Sequence, residues 1–165
     1  MKKQASAEKT ASHQLTEKYV PRLREGTLIG FAAVFLYLMV ALGSYDQGDP
    51  GWSRTSSSSA ISNAGGPAGA WLADVFYSLF GYMAYLFPLM LGYRAWILFR
   101  ERYHVQPFDW ASFSIRIIGL SLVMIATTSL AMIGDSGESG LPFGNGGVLG
   151  QAVGQASLDA FSLFG

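Results

Sequence analysis

Apolar residues gather into three long runs in this chain, and polar stretches rich in turn-forming residues separate them. The first run, GTLIGFAAVFLYLMVALG over residues 26–43, carries no charge. A helix crossing the hydrocarbon core of a bilayer needs about 20 apolar residues at about 1.5 Å rise each. With Ser44 and Tyr45 added the run supplies them, and it predicts a membrane helix over 26–44. Similar runs predict further membrane helices over 74–94 and 112–134. The expected fold is all-α, a polytopic helical membrane protein. A cleaved signal peptide is the rival reading of the first run. Its apolar core would be about 7–15 residues with small residues behind it, whereas this run is longer and made bulky by Tyr37, Leu38 and Met39.

The stretches between the runs have their own character. Residues 1–25 are polar and mixed in charge, and read as a solvated, largely disordered tail in which Pro21 interrupts any short helix. In 45–73, SYDQGDPGWS is turn chemistry, with Asp49-Pro50-Gly51 a tight bend. Asp46 and Asp49 fall short of the ligand series of a calcium loop. The stretch NAGGPAGAWLADVFYSLFG, residues 63–81, places Pro67 in the first turn of a helix. That helix is expected to lie on the membrane surface and run on into the second span. Pro88 is expected to kink the span, and Arg94 to end it. Leu72, Val75, Phe76 and Leu79 share one helical face, expected against the bundle or the acyl boundary, with Asp74 near water.

Charge adds a direction. Lys2, Lys3, Lys9, Lys18, Arg22 and Arg24 precede the first run. Arg94, Arg100, Arg102 and Arg116 crowd the turn around 95–111, and no Lys or Arg follows Arg116. Lys and Arg near membrane helices stay on the cytoplasmic side. The N-terminus and the 95–111 turn are therefore expected inside, and 45–73 and 135–165 outside. Trp71, Trp96 and Trp110 are candidate interface anchors. Arg94 and Arg116 can join them by snorkelling to the headgroups. Gly26 and Gly30 form a G-x-x-x-G pair, a candidate helix-packing face. Ser121, Thr127, Thr128 and Ser129 fit helix packing better than a polar pathway, since no buried acid or His accompanies them. Half the residues are hydrophobic, 13% are charged and the net charge is zero. That balance offers no basic surface for nucleic acid, and the lack of cysteine excludes disulfides and thiolate metal sites.

The chain also repeats itself. Gly65-Gly66-Pro67-Ala68-Gly69 leads to a Leu, an Asp, a Phe and a closing Ser78-Leu79-Phe80-Gly81. Gly146-Gly147-Val148-Leu149-Gly150 leads in the same way to Leu158, Asp159, Phe161 and Ser162-Leu163-Phe164-Gly165. Each copy is expected to supply a surface helix, roughly over 67–74 and 150–159, the two forming one cap. The second copy stops where a further span is expected, so the chain reads as a fragment. SYDQGDPGWS, then NAGGPAGAWLADVFYSLFGYMAYLFP, a basic turn, and GNGGVLGQAVGQASLDAFSLFG together resemble the N-terminal four-span membrane domain of the FtsK/SpoIIIE family of bacterial DNA translocases. The resemblance implies a multi-pass anchor in the bacterial inner membrane at the division septum, with 45–73 and 135–165 periplasmic. It further implies other septal division proteins as partners, self-association as a hexamer, and a following motor that uses ATP and magnesium.

Within these residues themselves the chemistry is sparse. No G-x-x-x-x-G-K-[ST] phosphate loop is present, and the Gly-rich 144–154 has no Lys. No catalytic, cofactor or metal residue is expected, and no nucleic acid is expected to bind here. Gly134-Asp135-Ser136-Gly137 mimics a nucleophile motif. A Ser nucleophile needs a base within reach, and His13 and His104 fall on the opposite side of the membrane. A transporter fragment would want ionisable groups near mid-membrane, and only Arg116, near a helix end, is present. The orientation is directly testable. A cysteine at Ser57 is expected to be labelled by an impermeant thiol reagent in intact spheroplasts, and one at Gln106 to be protected. The reverse pattern overturns the orientation.

Overall fold

The computed structural model describes residues 2–55, 61–100, 109–134 and 140–162. Five α-helices and one 3-10 turn follow in order: α1 Lys2–Gly43, α2 Gly66–Phe80, the 3-10 turn Gly81–Tyr85, α3 Leu86–Arg100, α4 Trp110–Ile133 and α5 Gly147–Ser162. No strand occurs among the described residues. Three stretches are long and apolar enough to cross a membrane: Glu25–Gly43, the composite Gly66–Arg100, and Trp110–Ile133.

α1 and α3 pack side by side as an antiparallel pair. A side chain at Gly92 would meet the Phe35 ring at 3.1 Å, so the α3 backbone approaches α1 closely there. The small core, Leu42, Ala73, Tyr77 and Ala84, sits where this pair meets α2. α2, with Gly65 before it, touches the last turns of α1, from Tyr37 to Leu42, and Tyr45 just beyond its end. It therefore caps the end of the pair. α5 caps α4 in the same manner, over Thr128 and Met132.

The repeat in the sequence is a repeat in geometry. Gly66 and Gly147 both take positive φ, 68° and 62°. The N–H of each donates back three residues, Gly66 to the Asn63 carbonyl and Gly147 to the Gly144 carbonyl. A side chain at Gly65 or Gly69 would meet the Ala41 Cβ at 3.4 Å, and one at Gly146 or Gly150 would meet the Met132 Cβ at 3.2 or 3.5 Å. Glycine at these points lets the cap close onto the Ala41 side chain in the first half and onto the Thr128 carbonyl in the second, the small-residue contact that packs helices in membranes.

Several expectations give way to this structure. The N-terminal tail is helical and continuous with the first span, passing through position 21. Helix propagation costs little once a long apolar helix has nucleated it, and Ala, Gln, Glu and Lys are good helix formers. The single helix expected over 74–94 is two helices separated at Gly81, whose φ is 57°. Pro88 then falls in the first turn of α3, where its missing N–H costs no helical bond. α3 continues past Arg94 to Arg100, because Arg94 is exposed and an exposed Arg need not end a helix. A side chain added at Gly26 or Gly30 would meet nothing within 4 Å, so no neighbour among the described residues packs on this pair. Ser57, Gln106, His104, the Asp135-Ser136-Gly137 motif and the closing Leu163-Phe164-Gly165 lie outside the described residues, as does the side chain of His13.

The two caps meet at a joint of glycines. A side chain at Gly81 would lie 1.9 Å from the Asn145 carbonyl oxygen, and one at Gly147 would lie 2.6 Å from the Leu79 carbonyl carbon. The Tyr82 N–H donates to the Asn145 carbonyl at 3.0 Å. Gly81→Ala and Gly147→Ala are each expected to destabilise by at least about 1–3 kcal/mol, from the backbone conformation alone. Gly26→Ala and Gly30→Ala should be neutral or stabilising by about 0.5–1 kcal/mol, since Ala is the better helix former. Unfolding of the purified protein in mixed detergent micelles measures all four. Equal losses at both pairs of sites would refute this assignment.

Candidate functional site at the capped end of the bundle

The last carbonyls of a helix have no partner within it, and in apolar surroundings each must find a donor. At the end of α1 the donor is Asn63, only 4% exposed. Its Nδ2 donates to the Ala41 carbonyl at 2.8 Å and to the Ser44 carbonyl at 3.2 Å. Its Oδ1 accepts from the Gly65 N–H at 2.8 Å. One side chain thus closes α1 and positions the start of α2. Asp49, 5% exposed, fixes Asn63 in turn by accepting from the Ser62 and Asn63 N–H groups at 2.7 and 2.8 Å. Both Asp49 oxygens are engaged by backbone donors, so Asp49 acts as a loop clamp. No group of three His, Cys, Asp or Glu suited to a metal occurs among the described residues.

Asp74 is the second buried acid, 3% exposed. It accepts from the Ser53 N–H at 2.5 Å, the Ser53 hydroxyl at 2.9 Å and the Tyr45 hydroxyl at 3.1 Å. Gly51 passes so close that a side chain there would meet the carboxylate at 2.6 Å. The expected position of Asp74 near water is therefore corrected: α2 turns this acid inward and the first loop wraps it. Asp159, its counterpart in the repeat, is exposed, so the two acids are not equivalent. The buried face of α2 is Gly69, Ala70, Ala73, Asp74, Tyr77 and Ser78, while Leu72, Val75, Phe76 and Leu79 are only partly covered. Small and hydrogen-bonding residues turn inward because apolar side chains lose nothing against lipid.

Tyrosines complete the site. The Tyr77 hydroxyl donates to the Leu42 carbonyl at 3.0 Å and lies 3.0 Å from the Tyr85 hydroxyl. The Tyr45 and Tyr77 rings pack with centroids 4.8 Å apart. Burial, then the nearby Asp74 carboxylate, pushes the Tyr45 hydroxyl up to about 12. The Gln47 amide donates to the Gly140 carbonyl, tying the first loop to the second. The Arg54 guanidinium donates to the Gln47 carbonyl at 3.0 Å. This arrangement can hold a shape. It presents no nucleophile–base pair.

The candidate anchors lie on the surface. Trp71, Trp96 and Trp110 are exposed, as are Arg94 and Arg116. Trp110 opens α4 behind Asp109, which caps it by accepting from the Ala111 and Ser112 N–H groups at 3.0 and 3.3 Å. The Ser112 hydroxyl and these N–H groups hold Asp109 below the usual carboxylate range. Gly65, Gly69, Gly146 and Gly150 carry the cap contacts, and Gly66 and Gly147 the matching turns. Sequence reasoning missed Asn63, the clamp made by Asp49 and the turn at Gly81. An Asn two residues before a Gly-Gly helix start was the available signal for the first of these, as Asn caps by binding nearby backbone.

Fold and site together define a multi-pass helical membrane domain built from two span-and-cap repeats, with no catalytic constellation among the described residues. Residues 21–165 match the family described as the 4TM region of DNA translocase FtsK/SpoIIIE. The chain belongs to this family. It is 47% identical over 147 residues to a DNA translocase FtsK of Pseudomonas syringae pv. syringae (strain B728a), covering 87% of this chain and 18% of that protein. It is 40% identical over 162 residues to DNA translocase FtsK of Pseudomonas aeruginosa PAO1, covering 94% and 20%. A Shewanella oneidensis relative of the same name is 35% identical over 144 residues, covering 87% and 16%. The chain thus spans about a fifth of the length of these curated relatives. No solved structure matches it.

Asp74→Ala is expected to leave the Ser53 and Tyr45 donors unpaired and cost about 1–3 kcal/mol. Tyr45 adds a pH signature. Between about 10 and 12 the unfolded chain loses this proton and the folded chain keeps it, so stability falls as pH rises through that window. Tyr45→Phe should flatten the fall. Denaturant titrations at pH 9 and 11.5 measure both effects, and an identical pH dependence in the variant would show that Tyr45 is not the group.

Proposed function

We propose that this domain is the membrane anchor of a septal DNA translocase. It tethers a cytoplasmic, ATP- and magnesium-dependent motor to the inner membrane at the division septum, and so serves cell division and chromosome segregation. The observation that carries the reading is the family match over residues 21–165, which takes in the three described spans and both caps. The relatives are named DNA translocases. These 165 residues contain no phosphate loop. The anchor therefore works by position and contact, and neither hydrolyses ATP nor binds DNA itself. Its N-terminus lies in the cytoplasm, as the Lys and Arg distribution favours. The capped end then faces the periplasm, where its shaped surface meets other septal division proteins. Assembly as a hexamer follows the family. A fluorescent fusion to residues 1–165 is expected to collect at midcell in dividing cells, and the purified domain to show no ATPase activity. Uniform distribution around the envelope, or ATP hydrolysis abolished by a substitution within these residues, would overturn the proposal.

A further inference from the structure

The two halves share the glycine turns that open their caps but differ along their spans. α1 has α3 beside it, whereas α4 packs against α5 and the 3-10 turn and makes no substantial contact with α1 or α3 among the described residues. The cap contacts fix how the halves correspond. Ala41 meets both Gly65 and Gly69, and Met132 meets both Gly146 and Gly150, so Ala41 matches Met132. The α1 stripe Phe31, Phe35, Met39 and Leu42 then matches Leu122, Ala126, Leu130 and Ile133 on α4. Both sets recur along one helical face at four, four and three residues. On α1 the stripe is half-buried to buried, with Phe35 seated on Gly92 of α3 and Leu42 clustered with Ala84 of the 3-10 turn. On α4 it is open: Leu122 is 62% exposed, Leu130 67% and Ile133 56%.

We infer that this α4 face is the seat of the span that follows α5 in the polypeptide, packed on α4 as α3 packs on α1. The inference rests on the family assignment. The family is described by four spans, three of which lie within the described residues. α5 is packed on α4 through Thr128 and Met132, as α2 is packed on α1, so α4 is the neighbouring helix for a span that follows α5. The correspondence also sets the chemistry of the contact. In the first pair a large ring on α1, Phe35, fills a notch at Gly92 on α3. In the second pair α4 carries the small Ala126 at the matching point. The incoming span therefore presents a large apolar side chain opposite Ala126, so that the knob and the notch change sides between the halves. Membrane interfaces rely on such close steric fit, because exchange of apolar surface with lipid gives no driving force.

Disulfide trapping in the full-length protein tests this in native membranes. In a cysteine-free background, Ala126→Cys is combined with a cysteine at each of four consecutive positions midway along the first apolar stretch after α5. Phe35→Cys with Gly92→Cys is the positive control, and its bridge, formed alongside, shows that a variant is folded. A bridge needs Cα atoms about 4.4–6.8 Å apart. One position in the turn is expected to bridge to residue 126 within a single chain at the control's efficiency, and its neighbours on the far side of the helix are not. Two outcomes overturn the inference. One is no bridge at any of the four positions while the control bridges, which leaves the face to lipid. The other is a bridge between residues 126 of two chains, which makes it a contact between copies. Trapping reports packing whether or not the protein reaches the septum, so failure here is distinct from failure of the anchor function.

Discussion

The capped end depends on one close approach, where Gly81 lies against the backbone of Asn145 and Gly146, and Gly147 against that of Leu79 and Gly81. The Tyr82 N–H reaches the Asn145 carbonyl at 3.0 Å only because no side chain stands between the two turns. Both glycines take positive φ, a conformation that costs other residues energy. This turn serves two purposes at once. It ends α2 so that α3 can fold back along α1, and it brings the first half of the chain onto the second. Beyond it the halves also meet where Leu141 packs on the Leu42–Tyr77 core and where Gln47 reaches the Gly140 carbonyl.

Around that joint the domain keeps its polar groups for itself. Two buried acids and a buried Asn, Asp49, Asp74 and Asn63, are each matched with donors or acceptors from loops and helix ends. A half-satisfied network would be worse than an apolar core, so these loops have little freedom to vary independently. Segments that read as free connections are part of the packed structure. The 45–55 loop is wound around Asp74 and tied down at Arg54, which gives the exposed surface of the cap a defined shape.

Much of the fold was legible in the sequence. Run lengths gave an all-helical membrane domain, and the Gly-Gly turns gave the repeat that the backbone angles at Gly66 and Gly147 display. What was not legible followed from solvent. An Asp amid apolar residues suggests a water-facing position, yet Asp74 is buried because hydroxyl and N–H donors from 29 and 21 residues away converge on it. Such long-range partners leave no local pattern. The apolar stripe of α2 misled for a related reason: beside lipid, hydrophobicity no longer marks the inward face. Gly81 was hidden because the run around it is apolar on both sides, and its turn is required only by a contact with Asn145 far along the chain.

A joint confined to one end has a mechanical consequence. α4 is 24 residues long, about 36 Å of helix, and among the described residues it is held to the rest of the domain near its final turns. The two halves are therefore levers on a common fulcrum. A rotation of about 10° at the fulcrum displaces the far end of α4 by about 6 Å over that length. A small angle at the cap thus corresponds to a larger displacement at the other end of α4. A pull applied there returns to the cap as a load shared by the glycine joint, the Gln47–Gly140 tie and the seat of Leu141.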